Sequence, residues 1–71
     1  MEKNIQISLK AARVNAELNL IDAAKIIGIG KDTLIKWEKD SSNVNPKWQA
    51  KISSAYKISI DNIFFGIKLD K

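Results

Sequence analysis

The sequence predicts an all-α fold of five short helices, organised around a helix–turn–helix pair between Asn19 and Lys39. Three observations carry this reading. Apolar residues recur at helical spacing in each segment: Leu9, Ala12 and Ala16, then Ala23 and Ile27, then Leu34 and Trp37, then Trp48, Ile52, Ala55 and Tyr56. Residues that favour helix starts, Ser8, Asn19, Asn45 and Ser59, stand just before these runs. Only three Gly and one Pro occur among 71 residues, which argues against a loop-rich or disordered chain. That length suits a single domain, residues 1–71, with one core and little stability to spare.

The chain opens with Ile5 and Ile7 alternating with Asn4, Gln6 and Ser8, a strand-like period in a terminus expected to fray. The first helix is expected from the Ser8 cap to about Glu17, with Leu9, Ala12, Ala16 and Arg13 on one face and Leu18 closing it against the core. Asn19 caps the second helix, and Gly28 suits the left-handed position just past its end. Ala24 is small enough to let the third helix approach closely. That third helix has only Gly30 as its cap. Ile29, Leu34 and Trp37 then point inward, leaving Lys31, Asp32, Thr33 and Lys36 outward.

A polar loop without a cation follows, from Asp40 to Asn45. Asn45-Pro46 starts the fourth helix, since the missing N–H of Pro is harmless at the first helical position. Its inner face is Trp48, Ile52, Ala55 and Tyr56. A short fifth helix, Ile60 to Phe65, is expected to end at Gly66.

Composition excludes several functions. With no Cys there is no disulfide or thiolate metal site, and with no His the usual general base and zinc ligand is missing. The eight carboxylates are scattered, so no enzyme activity, metal or cofactor is expected. No apolar run is long enough to span a bilayer, and no signal peptide opens the chain. Twelve Lys and Arg against eight Asp and Glu leave a net charge of +4, a modest excess that suits a polyanionic partner.

The apolar set, Ala24, Gly28 and the Trp37-Glu38 pair closing the third helix together resemble the helix-turn-helix of the lambda repressor and Cro family, also called the Xre family. An Ala-x-x-x-Gly pattern alone is weak, but the full set of spacings is specific, and the resemblance runs from Ser8 to Gly66. It implies a DNA-binding domain whose third helix presents Lys31, Asp32, Thr33 and Lys36 to the major groove. Lys donates to guanine O6 or N7, a carboxylate accepts from cytosine N4, and a Thr methyl touches the thymine methyl. Asp32 and Lys36, four apart, can instead pair with each other. Lys39, Lys10, Asn19, Ser41 and Asn43 are candidate phosphate contacts, or else solvated side chains.

The resemblance also implies a partly buried ion pair between Arg13, the only arginine, and Glu38, for which a planar bidentate guanidinium is suited. The alternative is a phosphate-contacting Arg13 with a solvated Glu38. Three departures stand out. Leu20 occupies the place of a phosphate-gripping Gln, Asp40 and its cation-free loop replace Gly and basic residues, and Lys57 stands where Gly is common.

Phe64, Phe65, Ile67 and Leu69 exceed what so small a core can bury, and the family commonly dimerises through this end. The resemblance therefore implies a homodimeric transcriptional regulator on operator DNA, cytoplasmic and nucleoid-associated in a bacterial host, with no small-molecule ligand and no membrane. The chain ends soon after the DNA-binding fold, leaving no room for a sensing domain. This favours a Cro-like regulator from a phage or prophage, and the stretches from Ser8 to Asn15 and from Ile60 to Phe64 particularly resemble small Cro-like and repressor proteins of phages of Gram-positive bacteria. Alternatives are an antitoxin or a restriction-modification controller of the same fold, and a protein-interaction module that has lost DNA binding.

Overall fold

Local hydrogen bonding starts three of the helices where the caps stand in the sequence. The computed structural model describes residues 5–66, which form four α-helices and two 3₁₀ turns. Helix α1 spans Leu9–Asn15, α2 Leu20–Ile27, α3 Lys31–Lys39 and α4 Pro46–Tyr56. Ser8 Oγ accepts from the Ala11 N–H at 3.0 Å, Asn19 Oδ1 from Asp22 at 2.7 Å and Asn45 Oδ1 from Trp48 at 3.1 Å. Each satisfies one donor that a helix start leaves unpaired.

Two left-handed residues end helices. Gly28 has φ 95°, and the Gly28 and Ile29 N–H groups both donate to Ala24 O, at 2.8 and 2.9 Å. Lys57 ends α4 at φ 56° with a Cβ in place, in a conformation that an L-residue adopts at a penalty.

Leu9, Leu34, Ile52 and Ile63 are the most deeply buried large side chains, one each from α1, α3, α4 and the C-terminal segment. Ala12, Ala23, Ala24, Ile27, Trp37, Val44 and Tyr56 complete the core. The alanines at Ala23 and Ala24 leave α2 room to pack against both α3 and α4. No helix among the described residues is long and apolar enough to cross a membrane.

Three expectations need correction. Helix α1 stops at Asn15, because Glu17 turns left-handed (φ 61°) and the Leu18 N–H returns to Arg13 O at 3.2 Å. The fifth helix shrinks to a 3₁₀ turn, Ile60–Asn62. Its continuation would need the Phe64 N–H to bond back to Ile60, but that N–H donates to Ile7 O at 2.8 Å. For the same reason Ile7 is not frayed: its N–H donates to Asn62 O at 2.9 Å, forming a parallel bridge with Ile63. Gln6 and Asn62 side chains add bonds to Asp61 O and Ile5 O across the same seam.

Candidate nucleic-acid interface

Helix α3 buries Leu34 and Trp37, so its opposite side faces solvent. Asp32, Lys36 and Lys39 share that side at spacings of four and three residues, and Lys31 and Thr33 flank it, all exposed. Asp32 and Lys36 do not pair: among the described residues the one salt bridge is Arg13–Glu38. Lys10, Asn19 and Asn43 are exposed as well, although Asn19 Oδ1 is engaged in its cap.

The orientation of α3 is set by Arg13. Its Nε donates to Glu38 Oε2 at 2.6 Å and its Nη2 to Oε1 at 3.2 Å, a two-pronged contact from α1 to the last turn of α3. Nη1 donates to Leu18 O at 3.0 Å, fixing the α1–α2 junction to the same group. Both side chains are only 10% exposed, which excludes a solvated Glu38 with Arg13 reaching outward. The hydrogen bond that the guanidinium donates to Glu38 raises its pKa above the ordinary value, against the opposing effect of burial. Tyr56 lies close enough to feel both charges. Burial foremost, then the Glu38 charge, pushes its phenol up to about 12, and its buried hydroxyl has no hydrogen-bond partner.

One predicted contact is reassigned, and one departure from the family pattern is explained. Ser41 is buried and withdrawn from the phosphate set: its Oγ accepts from Gly66 N at 2.9 Å and lies 3.1 Å from Phe64 O. It ties the end of α3 to the C-terminal segment. Leu20, where a phosphate-gripping Gln was expected by resemblance, is half-buried and packs against the core. The helix-turn-helix thus gains a packing contact where it lacks a polar one.

The chain's arrangement also brings in residues that sequence reasoning passed over. Trp37 of α3 and Trp48 of α4 meet with ring centroids 5.9 Å apart, tilted by 53°. Lys47 and Lys51 hold their ammonium groups 5.6 and 5.5 Å from the Trp48 ring centroid. Two cations are thereby attached, through the tryptophan pair, to the helix that carries Lys36 and Lys39. The signal was present as a Lys at each of the positions one before and three after Trp48, but Trp48 was read as core alone. Ile35 is the other addition: it is half-buried on the outward side of α3, between Lys31 and Lys39, and is not among the side chains packed on the core.

A helix-turn-helix family model matches residues 9–63, from the first residue of α1 to the buried Ile63. The chain belongs to the lambda repressor/Cro-like, or Xre, helix-turn-helix family. Neither the curated proteins nor the solved structures yield a match. The Xre family is one of DNA-binding regulators rather than enzymes. The match covers both α3 and the Arg13–Glu38 contact that holds it.

At the C-terminal end, Phe64 is 37% and Ile60 38% exposed, whereas Phe65 packs against the core. Ile67 and Leu69 lie outside the described residues.

Proposed function

We propose that this Xre-family chain is a sequence-specific transcriptional regulator that binds operator DNA in the major groove as a homodimer. The observation that carries this reading is the outward side of α3, where Lys31, Asp32 and Lys36 stand exposed and, among the described residues, unpaired on a helix that Arg13 locks in place. Lys31 and Lys36 donate to guanine, Asp32 accepts from cytosine, and Thr33 offers a methyl to thymine. Lys10, Lys39, Asn19 and Asn43, joined by Lys47, contact phosphates on either side. Phe64 and Ile60, with Ile67 and Leu69, supply the twofold contact. Acting on DNA places the protein in the cytoplasm, with the nucleoid, and a Cro-like role in a phage or prophage is the finer form of this reading.

The test is selection of duplexes from a random pool, followed by titration of the selected site at rising salt. A steep fall in affinity with salt is expected, because cations that neutralise phosphates release counterions. One specific observation favours a second reading, a module that keeps the fold for protein contacts: Leu20 and Ser41 both turn inward where phosphate contacts were expected. Absence of any salt-dependent retention on duplex DNA selects that reading instead.

A further inference from the structure

Away from α3, the ends of α1, α2 and α4 border an open groove of mixed apolar and polar lining. It consists of two adjoining depressions of about 450 and 490 Å³ that share Ile26, Ala55 and Lys57. Ala16 and Leu18 extend its floor at the α1 end, and Lys51 stands at the α4 end. No residue of α3 lines it, so it is separate from the recognition face.

Three features make this groove more than a seam between helices. Ile26 is 57% exposed there, beside the buried Ile27 of the same helix, which also lines the groove. The cations lining it, among the described residues, are Lys57 and Lys51, whose ammonium also lies 5.5 Å from the Trp48 ring centroid, and no carboxylate lines it beside the Tyr56 phenol. Glu17, between Ala16 and Leu18 in the sequence, is exposed but does not line it. Lys57, which lines both depressions, is held left-handed at φ 56°, where Gly would sit without strain. The backbone there carries a side chain at a conformational disadvantage, as at positions kept for their side chain's function.

We propose that the Ile26–Ala55–Lys57 groove docks an acidic segment of a partner protein, with apolar side chains seated on Ile26, Leu18 and Ala55 and carboxylates facing Lys51 and Lys57. Apolar contact supplies the affinity, and the paired lysines select acidic over basic segments and orient them. Because the groove and the outward side of α3 share no residue, the segment and DNA occupy different surfaces.

The experiment selects a displayed random-peptide library on the full chain, with counter-selection on Ile26→Glu. A synthetic copy of the winning peptide is then titrated while amide resonances are followed. Expected are winners with Leu, Ile or Phe flanked by Asp or Glu, shifts centred on Ile26, Ala55 and Lys57, and about tenfold weaker binding to Lys57→Gly. Lys57→Gly relieves the left-handed strain and is expected to melt no lower than the parent, so its loss of binding is not a loss of fold. Winners without an acidic excess, equal binding to Lys57→Gly, or shifts on another face overturn the proposal. So do concentration-dependent shifts at the groove in the chain alone, which assign it to a second copy. Weakened duplex-DNA binding by Lys57→Gly with unchanged peptide binding also overturns it, assigning these lysines to phosphate.

Discussion

Arg13 of α1 grips Glu38 of α3 through two hydrogen bonds, of 2.6 and 3.2 Å, across 25 residues of sequence, and the same guanidinium holds Leu18 O. A single side chain thereby joins the first helix, the junction before the helix-turn-helix and the end of α3. Arg13→Ala leaves the Glu38 carboxylate without its partner in a site where it is only 10% exposed. The expected loss is about 3 kcal/mol, the lower end for a broken buried pair because some water reaches this one. In a domain this small that is a large share of the total stability. Thermal or urea unfolding of Arg13→Ala checks it, and Arg13→Ala/Glu38→Ala should lose less than the two single changes added together. Overlaid melting curves for Arg13→Ala and the parent would remove the pair from the account of how α3 is held.

Tyr56 makes stability sensitive to alkali. Its phenol, pushed up to about 12 from 10.0, binds its proton more tightly folded than unfolded. The contribution is therefore complete below pH 10 and is lost as pH rises from there through about 12. Because the hydroxyl is buried without a partner, Tyr56→Phe removes a desolvated polar group and should be neutral or stabilising by up to about 1 kcal/mol at neutral pH. Melting temperature against pH, parent beside Tyr56→Phe, measures both effects. An alkaline loss of the same size in the two proteins would assign it to other groups.

On the proposed DNA-binding side, base readers and phosphate contacts can be told apart by substitution. Lys31→Ala or Lys36→Ala should lose roughly 1–3 kcal/mol on the selected site and relax its sequence preference at one position. Lys47→Ala, beside the Trp48 ring, should weaken all duplexes alike and reduce the salt slope by about one. Anisotropy titrations on selected and scrambled duplexes distinguish these outcomes. Unchanged affinity in both α3 variants, with the fold intact, would take this face out of the interface.

Assembly is tested at Phe64 rather than Phe65. Phe65 packs against the core, so a charge there would unfold the domain, whereas Phe64 and Ile60 are exposed and lie outside the core. Phe64→Asp should leave melting nearly unchanged and lower affinity for a palindrome with half-sites about 34–36 Å apart far more than for a single half-site. Equal affinity of parent and variant for the palindrome would move the twofold contact elsewhere, the exposed Ile5 end being the next place to examine.

What the sequence determined by itself is what depends on neighbours within about one helical turn. The starts of α1, α2 and α4 follow from Ser8, Asn19 and Asn45, whose side chains reach an N–H only three residues on. The turn at Gly28 follows from the one conformation that closes α2, and the buried and exposed sides of α3 follow from helical period alone. What the tertiary structure decided are contacts whose partners lie far apart in the chain. Ile7 found Ile63, which unwound the expected fifth helix because one N–H cannot serve two acceptors well. Ser41 turned from the loop surface to the C-terminal backbone, and Phe64 and Phe65, adjacent and chemically alike, were sorted to solvent and to core. A periodic pattern states that a residue is apolar or polar and which way it points along its own helix. It does not state which distant backbone group or side chain completes the contact, and that choice is made only when the elements pack.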